Sequence, residues 1–241
     1  MSLVKIPFIA AGTLGTYACL TPPQPKVSAA ERPKDATTWE RVFSATEQES
    51  SRRSPQALAC SGGILEIAVI LASRFPAHPL SQKILRSLVR GSISLTGRID
   101  FSPLFFAGCG LAAIGGFIRY QCYRTLGRFF TYEVTIRNDH QLITEGPYGW
   151  VRHPSYTSGI ACCVGLGICY GSAGSWLREC RILETLGGKV ASWLYVAFVI
   201  YGTASLVVRA PLEDKLLRER FGEQWDEWAK RVPYRMVPFI Y

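Results

Sequence analysis

Apolar residues are gathered in five runs, separated by polar and mostly basic segments. The runs cover residues 6–20, 57–73, 101–120, 156–170 and 190–208. A helix needs about 20 apolar residues to cross a bilayer core that is about 30 Å thick. We therefore predict an all-α polytopic membrane protein with about five transmembrane helices. We interpret the first run as a retained helix rather than a signal peptide, because Lys5 alone is a weak basic start.

Two features inside these runs bear on how the helices pack. Glu66 lies in the second run, where a carboxylate is costly unless it is paired or faces other helices. We therefore expect it to face the bundle. The third run is rich in glycine, and small residues let helices approach closely in lipid. Such a surface could also leave a gap for a lipid chain to enter.

The polar segments between the runs are predicted to be loops. Residues 22–56 and 171–189 are read as connecting loops, and residues 74–100 as a basic linker. Residues 131–136 combine threonine, tyrosine and valine, which favours a short extended piece.

The segment after the fifth run is predicted to form amphipathic helices. Pro211 suits the first turn of a new helix, and Gly222 suits its end. Trp225 and Trp228 then lie three residues apart among charged residues. This pattern is typical of a helix at a membrane interface.

Composition supports a membrane protein and argues against both a nucleic-acid-binding protein and a metal-binding or disulfide-stabilised one. The chain is 48% hydrophobic yet carries a net charge of +9. Basic flanks facing anionic lipid explain that charge, and no nucleic-acid-binding signature accompanies it. The eight cysteines form no C-x-x-C pair and mostly fall inside apolar runs. This argues against a metal site or a disulfide framework.

The distribution of basic residues predicts the orientation of the last two spans. Runs four and five form a hairpin, so residues 119–152 and 209–241 lie on one side of the membrane. These flanks hold five and seven Lys and Arg residues, whereas the loop between the runs holds three. Basic loops favour the cytosol, which predicts that both flanks face it.

A polar cluster lies where the fourth run begins. Arg152 and His153 precede a proline, and His153 and Tyr156 are three residues apart, on one face of a starting helix. Backbone groups freed near the Gly146-Pro147 turn can contact a polar ligand. The alternative is an ordinary helix entry, in which arginine and tyrosine reach the membrane interface and histidine caps the helix.

A second polar cluster follows the fifth run. Arg209 and Glu213 are four residues apart, so they share a helix face, and Asp214 follows them. Alone, they would be read as a surface ion pair of little value. The predicted hairpin, however, returns them to the same membrane face as His153. Together, the clusters predict a cytosolic pocket formed by the C-terminal half, in which an arginine binds a carboxylate and a glutamate meets an ammonium group.

The order and spacing of these residues resemble the isoprenylcysteine carboxyl methyltransferases. The resemblance covers about residues 126–241, whereas residues 1–125 match only as generic transmembrane helices and polar loops. The matching elements are His140-x-Leu142-Ile143-Thr144-x-Gly146-Pro147-Tyr148, Arg152-His153-Pro154-Ser155-Tyr156, Arg209-x-x-x-Glu213-Asp214 and Phe221-Gly222-x-x-Trp225. The second acidic residue of the family's usual Glu-Glu pair is Asp214 here.

The resemblance implies an S-adenosyl-L-methionine-dependent enzyme of the endoplasmic reticulum membrane, with a catalytic region over residues 126–241. It would methylate the C-terminal carboxylate of prenylated proteins after CaaX processing, with its active site facing the cytosol. It implies that Arg209 holds the substrate carboxylate, with Arg152 as a second candidate. The implied cofactor contacts are His140, Gln141, Leu142, Ile143, Tyr148, His153, Pro154, Ser155, Tyr156 and Glu213.

Two other enzyme classes stay open at this point. A phospholipid N-methyltransferase would use the same cofactor on a lipid amine and would not need an arginine for a carboxylate. A small NADPH-dependent sterol reductase is suggested by the ending Val232-Pro233-Tyr234-Arg235-Met236. A membrane scaffold without catalysis is the alternative outside the enzymes.

Overall fold

The described residues form helices joined by short turns. The structure is a computed structural model, and it describes residues 3–21, 54–130 and 141–240. The helices are α1 (Lys5–Leu20), α2 (Ser54–Ala72), α3 (Pro79–Leu88), α4 (Pro103–Leu126), α5 (Pro154–Gly171), α6 (Trp176–Glu179), α7 (Leu186–Phe221) and α8 (Glu223–Arg231). Within these ranges every regular element is helical, which confirms the all-α part of the prediction.

Three of these helices are long and apolar enough to cross a membrane. They occupy Pro103–Phe129, Pro154–Glu179 and Leu186–Phe221, whereas the apolar part of α2, Ala59–Ala72, is shorter. Helix α1 has 16 residues, or about 24 Å at 1.5 Å per residue, less than the bilayer core. The prediction of about five spans is therefore not confirmed.

Helix α7 differs from the prediction at Pro211. The apolar fifth run and the charged segment after it form one helix of 36 residues, with Pro211 in its interior. Proline interrupts one backbone hydrogen bond, but the apolar and charged segments on both sides favour helix, and neighbouring groups compensate in membrane proteins. Gly222 ends the helix with φ at 53°, as predicted. At about 54 Å, α7 is longer than a bilayer core, so one end extends past it.

Glycines bring α1, α4 and α5 into backbone contact. A Cβ added at Gly116 of α4 would lie 2.2 Å from the carbonyl oxygen of Gly15 in α1. One added at Gly115 would lie 2.7 Å from the carbonyl oxygen of Ser158 in α5. Close approach is thus confirmed, but these two glycines do not leave a gap, because other helices fill the space beside them.

Lysine and glutamate form a buried ion pair among α1, α2 and α4. Lys5 Nζ donates to the Glu66 carboxylate and, at 2.6 Å, to the carbonyl oxygen of Gly174. The same ammonium lies 3.7 Å from the ring centroid of Phe105. Both charged side chains are almost fully buried. The expectation that Glu66 faces the bundle is confirmed, and its partner ties α1 to α2.

Three loop predictions are corrected or fall outside the described residues. The basic linker contains α3 and the 3-10 turn Ile93–Arg98, and the loop before α7 contains α6. Amphipathic patterning explains α3, whose apolar Leu85 is buried against the core. Residues 22–53 and the extended piece predicted at 131–136 lie outside the described residues.

We expect Gly116→Val to destabilise the protein by forcing α1 away from α4. Overpacking costs about 1–3 kcal/mol, and the contact here is with backbone, which cannot rotate away. Thermal unfolding of the detergent-purified protein measures the loss. Gly110→Val on the same helix is the control, since nothing lies within 4 Å of a Cβ there. Equal stability of the two variants would contradict this packing.

Candidate functional site

The C-terminal segment, residues 232–236 after α8, holds the turn that leads into α5. The backbone N–H of Arg152 donates to the carbonyl oxygen of Tyr234 at 2.9 Å, and that of His153 donates to Arg235 at 2.7 Å. The hydroxyl of Thr157 donates to the carbonyl oxygen of Met236 at 2.6 Å. These bonds fix the turn against a segment that is about eighty residues away in sequence.

Asp214 of α7 joins three basic side chains at this turn. Arg152 Nη2 lies 3.1 Å from Asp214 Oδ2, and Arg235 Nε lies 3.0 Å from the same oxygen. His153 Nε2 lies 3.0 Å from Asp214 Oδ1. The carboxylate is buried, and a buried charge is tolerated only when paired and hydrogen-bonded. Asp214 therefore fixes α7 against α5 and the C-terminal segment.

Tyr156 lies between the two charges of α7 that the sequence singled out. Its hydroxyl donates to Glu213 Oε2, and Arg209 Cζ lies 6.0 Å from its ring centroid. His153 stacks on Tyr156 with ring centroids 5.2 Å apart, and His153 Nδ1 lies 3.6 Å from Glu213 Oε2. The structure thus brings the two polar clusters together at one end of the helices.

Tyr148 lies in the 3-10 turn Gly146–Gly149, just before the entry to α5. It is buried with Cys122 of α4 and with Trp228 and Val232, and the indole of Trp228 donates to its carbonyl oxygen at 3.2 Å. Burial raises the pKa of Tyr148 well above its usual value, so the phenol stays neutral at physiological pH. Trp228 is only 2% exposed. Trp228 therefore packs inside the protein, because α8 folds onto Tyr148, and the position of the predicted helix at a membrane interface stays a prediction.

The other predicted site residues take different positions. Gln141 is exposed, whereas Leu142 packs against the cluster around Tyr148. Ile143 is half-buried and Pro154 is buried. The Ser155 hydroxyl and carbonyl accept from Arg119. His140 lies outside the described residues, and the ligand roles of the whole set stay predictions.

The two arginines predicted to bind a carboxylate differ in their surroundings. Arg152 is buried, and its Nη1 donates to the carbonyl oxygens of Val232 and Pro233, each at 3.0 Å. With Nη2 on Asp214, most of its donors serve the protein itself. Arg209 lies on the Tyr156 side of α7. Which of the two arginines binds a carboxylate stays a prediction.

Sequence reasoning missed two basic residues of this region. Arg235 was noted only as part of the chain ending, and Arg119 only as one positive charge in a flank. Neither has a motif spacing that indicates its partner, since Asp214 and Ser155 reach them through the fold alone. The even mixture of charges after residue 209 also gave no sign that Asp214 would be buried.

Arg152 Nε and Trp225 Nε1 are buried donors without a hydrogen-bond partner within the described part of the chain. Arg152 Cζ lies 5.7 Å from the Trp225 ring, so the two side chains are neighbours. Buried donors that lack an acceptor cost free energy, and an anionic ligand group would satisfy them.

Comparison with known proteins relates part of this chain to methyltransferases. Residues 104–180, from α4 through α6, match a family model described as phospholipid methyltransferase. Protein-S-isoprenylcysteine O-methyltransferase B of Arabidopsis thaliana is 32% identical over 135 residues, which are 55% of this chain and 58% of that protein. Protein-S-isoprenylcysteine O-methyltransferase of Xenopus laevis is 30% identical over 55% of this chain and 40% of that protein.

A reductase shares a smaller part. Delta(14)-sterol reductase of Mus musculus is 30% identical over 101 residues, which are 42% of this chain and 20% of that protein. This chain thus spans about half the length of the methyltransferases it matches and a fifth of the reductase. The resemblance to the isoprenylcysteine methyltransferases is confirmed over about half of the chain.

We expect Asp214→Asn to destabilise the protein strongly, because it leaves the buried guanidinium of Arg152 without its counter-charge. Removing one partner of a buried charge pair costs about 3–5 kcal/mol. Thermal unfolding in detergent measures the change. The control is Glu219→Gln on the same helix, whose exposed pair with Lys215 at 3.9 Å is worth at most about 0.5 kcal/mol. If both variants unfolded at the same temperature, Asp214 would not hold this region together.

Proposed function

We propose that this protein uses S-adenosyl-L-methionine to methylate the C-terminal carboxylate of prenylated proteins. The observation that carries the proposal is the placement of Arg209 and Glu213 around Tyr156. The two residues are four apart on α7, about 6 Å along the helix axis. One helix face thus offers a cation for the acceptor and a carboxylate for the methyl donor, next to each other.

The described residues fit the proposed cofactor. Its ammonium group needs a carboxylate, and Glu213 is 31% exposed at its side chain. Its carboxylate needs donors, and Arg152 Nε and Trp225 Nε1 are buried without an acceptor in the described ranges. Its sulfonium is favoured by an aromatic face, and Tyr156 and His153 present stacked rings. When bound, the group supplies an electrophilic methyl.

The chain's residues have to orient the acceptor rather than deprotonate it. A C-terminal carboxylate has a pKa of about 3.3–3.7 and is ionised at neutral pH, so no general base is required. Arg209 would hold one carboxylate oxygen and leave the other aimed at the methyl group. Orientation of this kind contributes up to about 7–11 kcal/mol in favourable cases. Exclusion of water from the carboxylate by the surrounding apolar side chains would add to it.

The prenyl chain would reach Arg209 along α7 rather than through the glycines of α4. No residue in the apolar window of α7 is buried, and Ile200 and Val208 are more than half exposed. By contrast, Gly115 and Gly116 of α4 are filled by other helices. In a bilayer, this surface of α7 faces lipid and lies next to Arg209. A prenyl group of the acceptor would remain in the hydrocarbon region while its carboxylate reaches the site.

We further propose that the site faces the cytosol from the endoplasmic reticulum membrane. The basic excess of the flanks around the site, twelve Lys and Arg residues against three in the intervening loop, supports this orientation. The choice of the endoplasmic reticulum is the one that the resemblance to the isoprenylcysteine carboxyl methyltransferases implies.

A phospholipid N-methyltransferase is the second candidate, because residues 104–180 match a family model described as phospholipid methyltransferase. A lipid amine is cationic or neutral, so Arg209 would repel it or be irrelevant to it. The sterol reductase is less favoured, since the chain covers only 20% of that relative. Sensitivity of the reaction to Arg209 therefore separates the two methyl acceptors.

We expect Arg209→Ala to reduce ester formation at least about a hundredfold, the loss that follows removal of one well-placed charged donor. The assay uses membranes from cells expressing the chain, labelled S-adenosyl-L-methionine and N-acetyl-S-farnesylcysteine, and it counts base-labile methyl ester. Lys215→Ala, which removes an exposed cation on the same helix, is the control and should retain wild-type activity.

Two results would go against the proposal. The proposed reaction would be refuted if membranes from cells expressing the wild-type chain formed no more ester than membranes from untransformed cells. Methyl transfer to lipid amine that is unaffected by Arg209→Ala would instead support the phospholipid N-methyltransferase.

A further inference from the structure

Arg119 lies within the candidate membrane span of α4 and bonds to two other helices. Its Nη1 donates to the Ser155 carbonyl oxygen at 2.6 Å and to the Ser155 hydroxyl at 3.0 Å. Its Nε donates to the Cys19 carbonyl oxygen at 3.0 Å and to the Tyr123 hydroxyl at 2.8 Å. An ionisable residue at such a depth points to function when its partners are identifiable.

The contact with α1 satisfies the end of that helix. Cys19 is the penultimate residue of α1, and the last carbonyl groups of a helix have no partner within it. Both Arg119 and the Tyr123 hydroxyl, at 2.7 Å, donate to the Cys19 carbonyl oxygen. The positive guanidinium also suits the negative end of the α1 dipole. The end of α1 is therefore fixed by the same side chain that holds Ser155.

The contact with α5 lies inside the proposed cofactor site. Ser155 stands between His153 and Tyr156, whose rings stack there. Gly159, one turn further along α5, leaves room for the guanidinium, because a Cβ at that position would lie 2.9 Å from Arg119 Nη1. Arg119 of α4 thus supports the first turn of α5.

We infer that Arg119 is a positioning residue that makes the cofactor site depend on α1. It holds the first turn of α5 in register, so that His153 and Tyr156 meet Glu213. Helix α1 lies outside residues 104–180, the stretch matched by the family model, yet it completes this support. The cofactor role rests on the proposed function, whereas the structural link between α1 and α5 does not.

The test compares variants of the full chain purified in detergent. Arg119→Met should weaken binding of labelled S-adenosyl-L-methionine about tenfold, the change that loss of one charged hydrogen bond produces. Its KM for N-acetyl-S-farnesylcysteine should change less than twofold. Arg119→Lys should recover part of the cofactor affinity, because lysine keeps the positive charge but lacks the several N–H donors that guanidinium holds in one plane. Arg124→Met, an exposed site on the same helix, is the matched control.

A second variant and a second readout keep the outcomes distinct. Gly159→Ala leaves Arg119 in place but displaces its guanidinium, so it should weaken cofactor binding even if Arg119→Met does not fold. Hydrogen exchange at the amides of His153, Tyr156 and Thr157 should speed up in both variants without cofactor. Failure of the wild-type protein to bind the cofactor would refute the proposed function. The exchange rates would still show whether Arg119 holds the first turn of α5. Unchanged exchange and unchanged affinity in both variants would overturn the inference.

Discussion

The buried carboxylate of Asp214 is the constraint on which the C-terminal half depends. It would be unfavourable there without the two guanidinium groups of Arg152 and Arg235 and the hydrogen bond to His153. Those partners come from the entry of α5 and from the segment after α8. Pairing this one charge therefore fixes the position of α7 relative to α5. It also fixes the C-terminal segment against both helices. It also helps explain why α7 continues through Pro211, since Ala210 and Asp214 are the buried positions of that helix.

This arrangement separates groups that hold the site from groups that face its contents. Asp214 is buried and bonded to Arg152, whose Nη1 and Nη2 serve backbone carbonyls and this carboxylate, so that only its Nε is left for a ligand. Glu213 is partly exposed, and Tyr156 connects it to the face that carries Arg209. A rigid buried pair beside an accessible pair is what a site needs if opposite charges must be presented in fixed positions to two ligands.

The sequence predicted the parts of the fold that depend on local pattern. Apolar runs located the long helices, Gly222 marked the end of α7, and the hairpin argument brought Arg209 and Glu213 to His153. Predictions failed where tertiary contacts outweigh local preference. Pro211 lies within a helix because both flanking segments favour helix, and the burial of Trp228 could not be predicted, since it arises only when α8 folds onto Tyr148. The partners of Arg119 could not be predicted, since Ser155 and Cys19 meet it only after three helices have packed.

The helices before the site help to hold it in place. The Lys5 and Glu66 pair joins α1 to α2, and glycines press α1 and α5 against α4. These helices have little freedom to slide past one another, because breaking a buried ion pair or a close backbone contact costs stability. The turn at His153 is thus held by α7 and, through α4, by α1.

Equilibrium binding of labelled S-adenosyl-L-methionine to the purified protein tests the central claim most directly, when Glu213→Gln and Arg209→Ala are compared. The account predicts that Glu213→Gln weakens binding at least about tenfold, because the ligand ammonium loses a charged acceptor. Arg209→Ala should bind the cofactor within about twofold of wild type, since that arginine serves the acceptor. Equal loss in both variants, or undiminished binding by Glu213→Gln, would contradict the division of roles along α7.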